Sequence, residues 1–126
     1  MGDGTTSKVT ATKARFVWKQ LRDAVQFQDE RVFLMSYGKP VAAVVAEGLW
    51  RRLAIDNGLD PDDTAPVGAR DSRNEMNDML KRAQAGKSSS VSFHEQKVEV
   101  VVVPWSLLGL SAEIVKGLPD FTPQAA

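Results

Sequence analysis

From Ala14 onward the apolar positions Val17, Trp18, Leu21, Ala24 and Val25 recur every three or four residues, which predicts an amphipathic helix with one buried stripe. Thr10 or Thr12 offers a side-chain oxygen to cap its start. The stretch "RVFLMSYGKPVAAVVA" then changes period. Its β-branched and aromatic residues predict two strands, with Gly38-Lys39 reversing the chain and Pro40 confined to a strand start or edge. Helical spacing returns in "EGLWRRLAIDNGL" through Leu49, Trp50, Leu53 and Ile55, and Asn57-Gly58 is a left-handed stop. The acidic, proline-bearing "DPDDTAP" reads as a linker.

After it the order starts again. "ARDSRNEMNDMLKRAQAG" places Met76, Met79, Leu80 and Ala83 on one helical face and ends at Gly86. "SVSFHE" alternates Val91 and Phe93 with Ser90, Ser92 and His94, which predicts a strand with one apolar and one wet side. "KVEVVVV" is the return strand, and Pro104 suits the first turn of a closing helix in "PWSLLGLSAEIVKGL". "PDFTPQAA" reads as a frayed tail.

The two passages align without a gap at an offset of 58 residues: Val9 with Val67, Arg15 with Arg73, Lys39 with Lys97, Val44 with Val102 and Leu49 with Leu107. Apolar classes follow, Trp18 with Met76, Leu21 with Met79, Phe33 with Val91 and Met35 with Phe93. This is an internal duplication, and two copies bury their apolar faces most economically against each other. The expected fold is α+β: two strand-helix-hairpin-helix repeats forming an intramolecular pseudo-dimer. Residues 1–7 are a flexible N-terminus, 8–57 the first repeat, 58–66 an acidic linker, 67–116 the second, diverged repeat, and 117–126 a tail.

A length of 126 residues, 43% hydrophobic and 25% charged, fits one compact soluble unit and excludes intrinsic disorder. The absence of cysteine rules out disulfides and thiolate metal sites. "MGDGTTSK" is no signal peptide, and no apolar run is long enough to span a membrane, so a cytoplasmic location is expected. Net charge is zero but uneven: residues 1–53 hold nine Lys/Arg against five Asp/Glu, leaving seven against eleven. A nucleic-acid site therefore belongs mainly in the first half.

Catalytic chemistry has little to stand on. His94 is the only histidine, and it has no second nitrogen or thiolate to share a metal. Asp60, Asp62 and Asp63 begin like a calcium loop but lack its glycine and distal glutamate. Ser88, Ser89 and Ser90 have no His/Asp partners and read as a flexible turn. No phosphate-binding glycine loop or carboxylate pair appears. The expectation is no enzyme and no cofactor. Trp18, Trp50 and Trp105 sit at core positions of the predicted helices.

"VTATKARFVWKQLRDAV" followed by "RVFLMSYGKPVAAVVAEGLWRRL" resembles the N-terminal domain of the Phd/YefM (prevent-host-death) antitoxin family. The features are Val9, Thr10, Ala14-Arg15, Gly38-Lys39-Pro40 and "VAAVV", over about 45 residues. The second copy keeps Arg73, Lys97 and the valine strand but has Gln96 and Val98 for the Gly and Pro. The resemblance implies an α+β unit that dimerises through its sheet and binds operator DNA with the start of its first helix, commonly with a C-terminal extension folded onto a toxin. Here a second folded copy takes the extension's place.

Lys8, Lys13 and Arg15 cluster where that helix starts, with Thr10 and Thr12 hydroxyls nearby, an arrangement that suits a DNA phosphate. In the second copy Arg70 and Arg73 are equivalent, but Asp71 replaces Lys13, so weaker contact is expected there. The structural alternative pairs Arg15 and Arg73 with acidic neighbours such as Asp71. The expected function is a DNA-binding repressor or antitoxin-like protein with duplex DNA as partner. A protein-binding module gripping a toxin or other protein with the second copy or the 109–126 tail is the alternative, and further homodimerisation is open.

Overall fold

The structure is a computed structural model and describes residues 5–93 and 97–123. Six strands form one sheet in the order β1-β2-β3-β6-β5-β4. The first half contributes β1 (Thr6–Thr10), β2 (Arg31–Ser36) and β3 (Lys39–Ala46), and the second β4 (Thr64–Gly68), β5 (Ser88–Phe93) and β6 (Lys97–Val103). β1 runs parallel to β2 and β4 to β5, while β2–β3, β5–β6 and the central β3–β6 pair are antiparallel. Val44 faces Val102, its own counterpart, so a local twofold axis passes between them. This is the geometry of an isologous contact inside one chain.

Helices cover both faces, which is why the central strands are nearly continuous runs of valine and alanine instead of alternating. On one face lie α1 (Ala11–Phe16), α2 (Trp18–Gln28) and α4 (Met76–Gln84), their buried Ala14, Trp18, Leu21, Met76 and Met79 packed with Leu34, Val44, Val91 and Val102. On the other lie α3 (Glu47–Asp56), a 3-10 turn (Trp105–Leu108) and α5 (Ala112–Lys116). There Trp50, Ala54 and Val115 meet Phe33, Val45, Val101 and Val103. No described helix is long and apolar enough to cross a membrane.

Several expectations are corrected. Residues 1–7 do not all precede the fold, since β1 begins at Thr6; residues 1–4 lie outside the description. The expected single helix is two, α1 and α2, broken at Val17; Thr10, one of the two expected caps, does cap the start of α1, accepting from the Lys13 N–H at 3.2 Å. The hairpin turns at Tyr37-Gly38, one residue earlier than expected, with φ of 53° and 74°; both positions of a two-residue turn matching strand twist need positive φ.

The second half departs further. Residues 69–75 are successive turns instead of helix. Asp71, Ser72 and Asn74 there satisfy the backbone through local i→i+3 bonds such as Ser72 N–H to the Ala69 carbonyl, as residues that compete with helix do. The closing helix is broken at Gly109, which takes φ 76°, before Ser111 caps α5. Ser88, Ser89 and Ser90 are no flexible turn but the buried start of β5.

The gapless alignment fails in one strand. Val9 faces Leu34 and Val67 faces Val91, so β5 follows β2 at an offset of 57, not 58, and Phe33 and Met35 correspond to Ser90 and Ser92. At that offset Phe93 takes the place of Ser36, the last residue of its strand, and it is 55% exposed at the rim instead of packed in the core. The connection at residues 94–96, with His94 and Gln96, lies outside the described residues.

The tail is not frayed through Phe121. The Lys8 N–H donates to the Pro119 carbonyl and the Phe121 N–H to the Lys8 carbonyl, at 2.9 and 2.8 Å. Residues 119–121 thus run along the open edge of β1 in parallel, and Phe121 is buried in the helix-α2 core. At the opposite edge, β4 has Pro66 at its centre.

Candidate nucleic-acid interface

The helix-α2 face carries the expected cations, and the fold sorts them. Lys13 and Arg15 project from α1, whose inward residue is Ala14. The Arg15 Nη2 donates to Asn77 Oδ1 of α4 at 2.9 Å, so this arginine reaches across the boundary between the halves. Its partner is a neutral amide, not the acidic neighbour of the structural alternative. Thr12, Lys13, Arg70 and Arg73 are exposed. Among the described residues the side chains of Lys13, Arg70 and Arg73 have no hydrogen-bond or ion-pair partner. Unpaired surface cations are ready for a polyanion, since no existing contact has to be broken.

Lys8 is not brought to this group. In β1 it stands opposite Phe33, whose side chain belongs to the far-face core. Its ammonium donates to the Lys116 and Leu118 carbonyls at 2.6 and 2.7 Å, satisfying the C-terminal end of α5, where a cation suits the helix dipole. Thr10 is likewise occupied as a cap.

The halves differ where the cations sit. The local twofold relates the capped turn of α1 to the non-helical 69–75, and Lys13 to Asp71. Arg70 and Arg73 are therefore displayed from turns, with a carboxylate between them.

Two residues that the sequence reading passed over join the halves. Arg22 of α2 donates from Nη1 to Glu99 Oε1 of β6 at 2.5 Å, both side chains 15% exposed. Arg22 stands four residues from Trp18, inside the apolar stripe, and Glu99 interrupts a valine run. A charge on a core stripe and one in a buried strand were the available signal. The Trp18 Nε1 donates to Ser72 Oγ at 2.6 Å, another buried bond across the boundary.

Other candidates resolve locally. The Asp62 N–H donates to Asp60 Oδ1 at 2.9 Å, and Arg51 and Lys87 pair with Asp62 and Asp63 at 3.0 and 3.6 Å, so the acidic linker is a fastened turn. No group of three His, Asp or Glu side chains is placed to hold a metal among the described residues. Trp18 and Trp50 are buried, and Trp105 packs partly buried on the far-face core. No protein-family model, curated protein or solved structure matches the chain.

Proposed function

We propose that this chain binds duplex DNA as an intramolecular pseudo-dimer of Phd/YefM-like repeats, acting as a cytoplasmic operator-binding repressor of the antitoxin kind without catalytic chemistry. The observation that carries the reading is that Lys13, Arg70 and Arg73 are exposed and unpaired, while Arg15 reaches across the two halves to Asn77. Phosphate contacts from such side chains supply the bulk of non-specific affinity and set orientation on the duplex. The symmetric order of the sheet supports the pseudo-dimer part.

The test is a mobility shift with self-promoter and random duplexes across a salt series. Arg15→Ala is expected to weaken binding and lower the slope of log affinity against log salt by about one unit. Binding with an unchanged slope would remove Arg15 from the interface, and no retention of either duplex at low salt would end the DNA reading.

A second reading, a protein partner such as a toxin gripped by the first half, has its own support. Phe16 and Phe27 are 77 and 73% exposed on the α2 face, whereas their counterparts at the 58-residue offset are Asn74 and Ala85. Exposed aromatics of this kind are favoured at protein interfaces. A stoichiometric complex with the product of a neighbouring reading frame, lost in Phe16→Ala, would favour it.

A further inference from the structure

A groove of about 380 Å³ opens between the halves, with Lys19, Arg22 and Asp23 of α2 on one side and Ala69, Arg70, Phe93 and Glu99 of the second half on the other. Its residues are where the halves disagree. The local twofold relates Lys19 to Asn77, Arg22 to Leu80, Arg70 to Thr12, Glu99 to Val41 and Phe93 to Ser36. The twin location, where Lys81 stands for Asp23 and Ala11 for Ala69, has one cation and no aromatic ring. Changes on both halves converge on one spot, a pattern that maintenance of the shared fold does not demand.

We propose that this groove binds a small organic phosphate bearing a planar ring, a mononucleotide being the simplest case. The volume is within the range of small-molecule sites. Lys19 pairs with Asp23 at 3.3 Å and Arg22 with Glu99, so the net positive charge left for an anion is that of Arg70. Glu99 holds Arg22 through Nη1, while the buried Arg22 Nε has no partner. The exposed Arg70 guanidinium lines the same groove, and its fork suits the oxygens of a phosphate monoester. Phe93 and Ala69 form an apolar wall that inorganic phosphate would leave wet and a ring would cover. A duplex backbone is a poorer fit, because Arg22 is recessed at 15% exposure beyond the reach of a rod resting on the surface. The site shares Arg70 with the DNA reading but does not require it, since Lys19, Arg22, Phe93 and Glu99 belong to the groove alone.

The experiment is isothermal titration of the full chain with adenosine and cytidine 5′-monophosphates, beside adenosine and inorganic phosphate. One equivalent of nucleotide is expected to bind, with adenosine and inorganic phosphate each weaker by about tenfold or more. Arg70→Ala and Lys19→Ala, both at exposed positions, should each weaken nucleotide binding about tenfold. Phe93→Ala should weaken nucleotide several-fold and leave inorganic phosphate unchanged. No saturable binding of either nucleotide at millimolar concentration overturns the proposal. So does nucleotide binding that survives Arg70→Ala, or a loss in Arg70→Ala confined to duplex DNA.

Discussion

Arg22 and Glu99 form an ion pair between the halves at 2.5 Å, where the local twofold places Leu80 and Val41 on the other side, both part of the helix-face core. Glu99 is the extra residue of the bulge in β6, and Val41 the extra residue in β3. The same backbone irregularity aims both inward. Glu99→Ala would leave Arg22 largely buried without a counter-charge, at a cost of about 3 kcal/mol. The double variant Arg22→Leu with Glu99→Val, which copies the twin site, should return to within about 1 kcal/mol of the starting stability. Urea unfolding of the three variants checks this. Additive losses in the double variant would contradict it.

The bond from Trp18 to Ser72 is buried, and the Ser72 hydroxyl in turn donates a hydrogen bond to the Ala69 carbonyl at 2.7 Å. Ser72→Ala strands the indole N–H, so a loss of about 1–3 kcal/mol is expected. Trp18→Phe in the Ser72→Ala background should add less than it does alone, because the N–H is removed along with its lost acceptor. A double-mutant cycle by chemical denaturation measures the coupling.

Phe121 is 2% exposed, and it is the tail's anchor in the main core. Phe121→Ala should cost about 3–5 kcal/mol, as for other large-to-small core changes. Hydrogen exchange of the Lys8 and Phe121 amides should accelerate with it, since those bonds fasten the tail to β1. A variant as stable as the original would mean that the tail is detached in solution.

Tyr37 holds φ 53° while its side chain is fully exposed. A bulky residue with no contact to compensate is strained there, whereas Asn accepts the left-handed region. Tyr37→Asn is expected to stabilise by about 0.5–1 kcal/mol. Thermal unfolding should show a midpoint a few degrees higher; a lower one would indicate that Tyr37 makes a contact.

What could be read from the sequence was whatever repeats. The stripes through Trp18 and Leu21 and through Met76 and Met79, the valine strands, and the equivalence of Val44 and Val102 all follow from period and offset; that those two residues pair edge to edge, making one continuous sheet, is seen only in the register. The slip to 57 in β5 could not be read, because Ser90 stands where Phe33 does and the aligned apolar residue, Val91, lies one step away. That exchange also leaves room beneath Trp50, whose indole reaches the Pro61 carbonyl at 2.9 Å. Bulges are equally silent in a one-dimensional pattern, and one of them decides the fate of Glu99. At the candidate interface, Lys8 was grouped with Lys13 by proximity in sequence. A strand sends neighbouring side chains to opposite faces, and only the register shows that Lys8 is on the far one.

The two margins of the sheet are closed by different means. Along β1 the chain lays its own residues 119–121, and along β4 the midpoint residue, Pro66, has no amide hydrogen to give. Neither rim offers a continuous ladder to a stranger, so six strands is a terminus and not a seed. Growth of these molecules into fibres by edge-on recruitment is disfavoured at both ends at once.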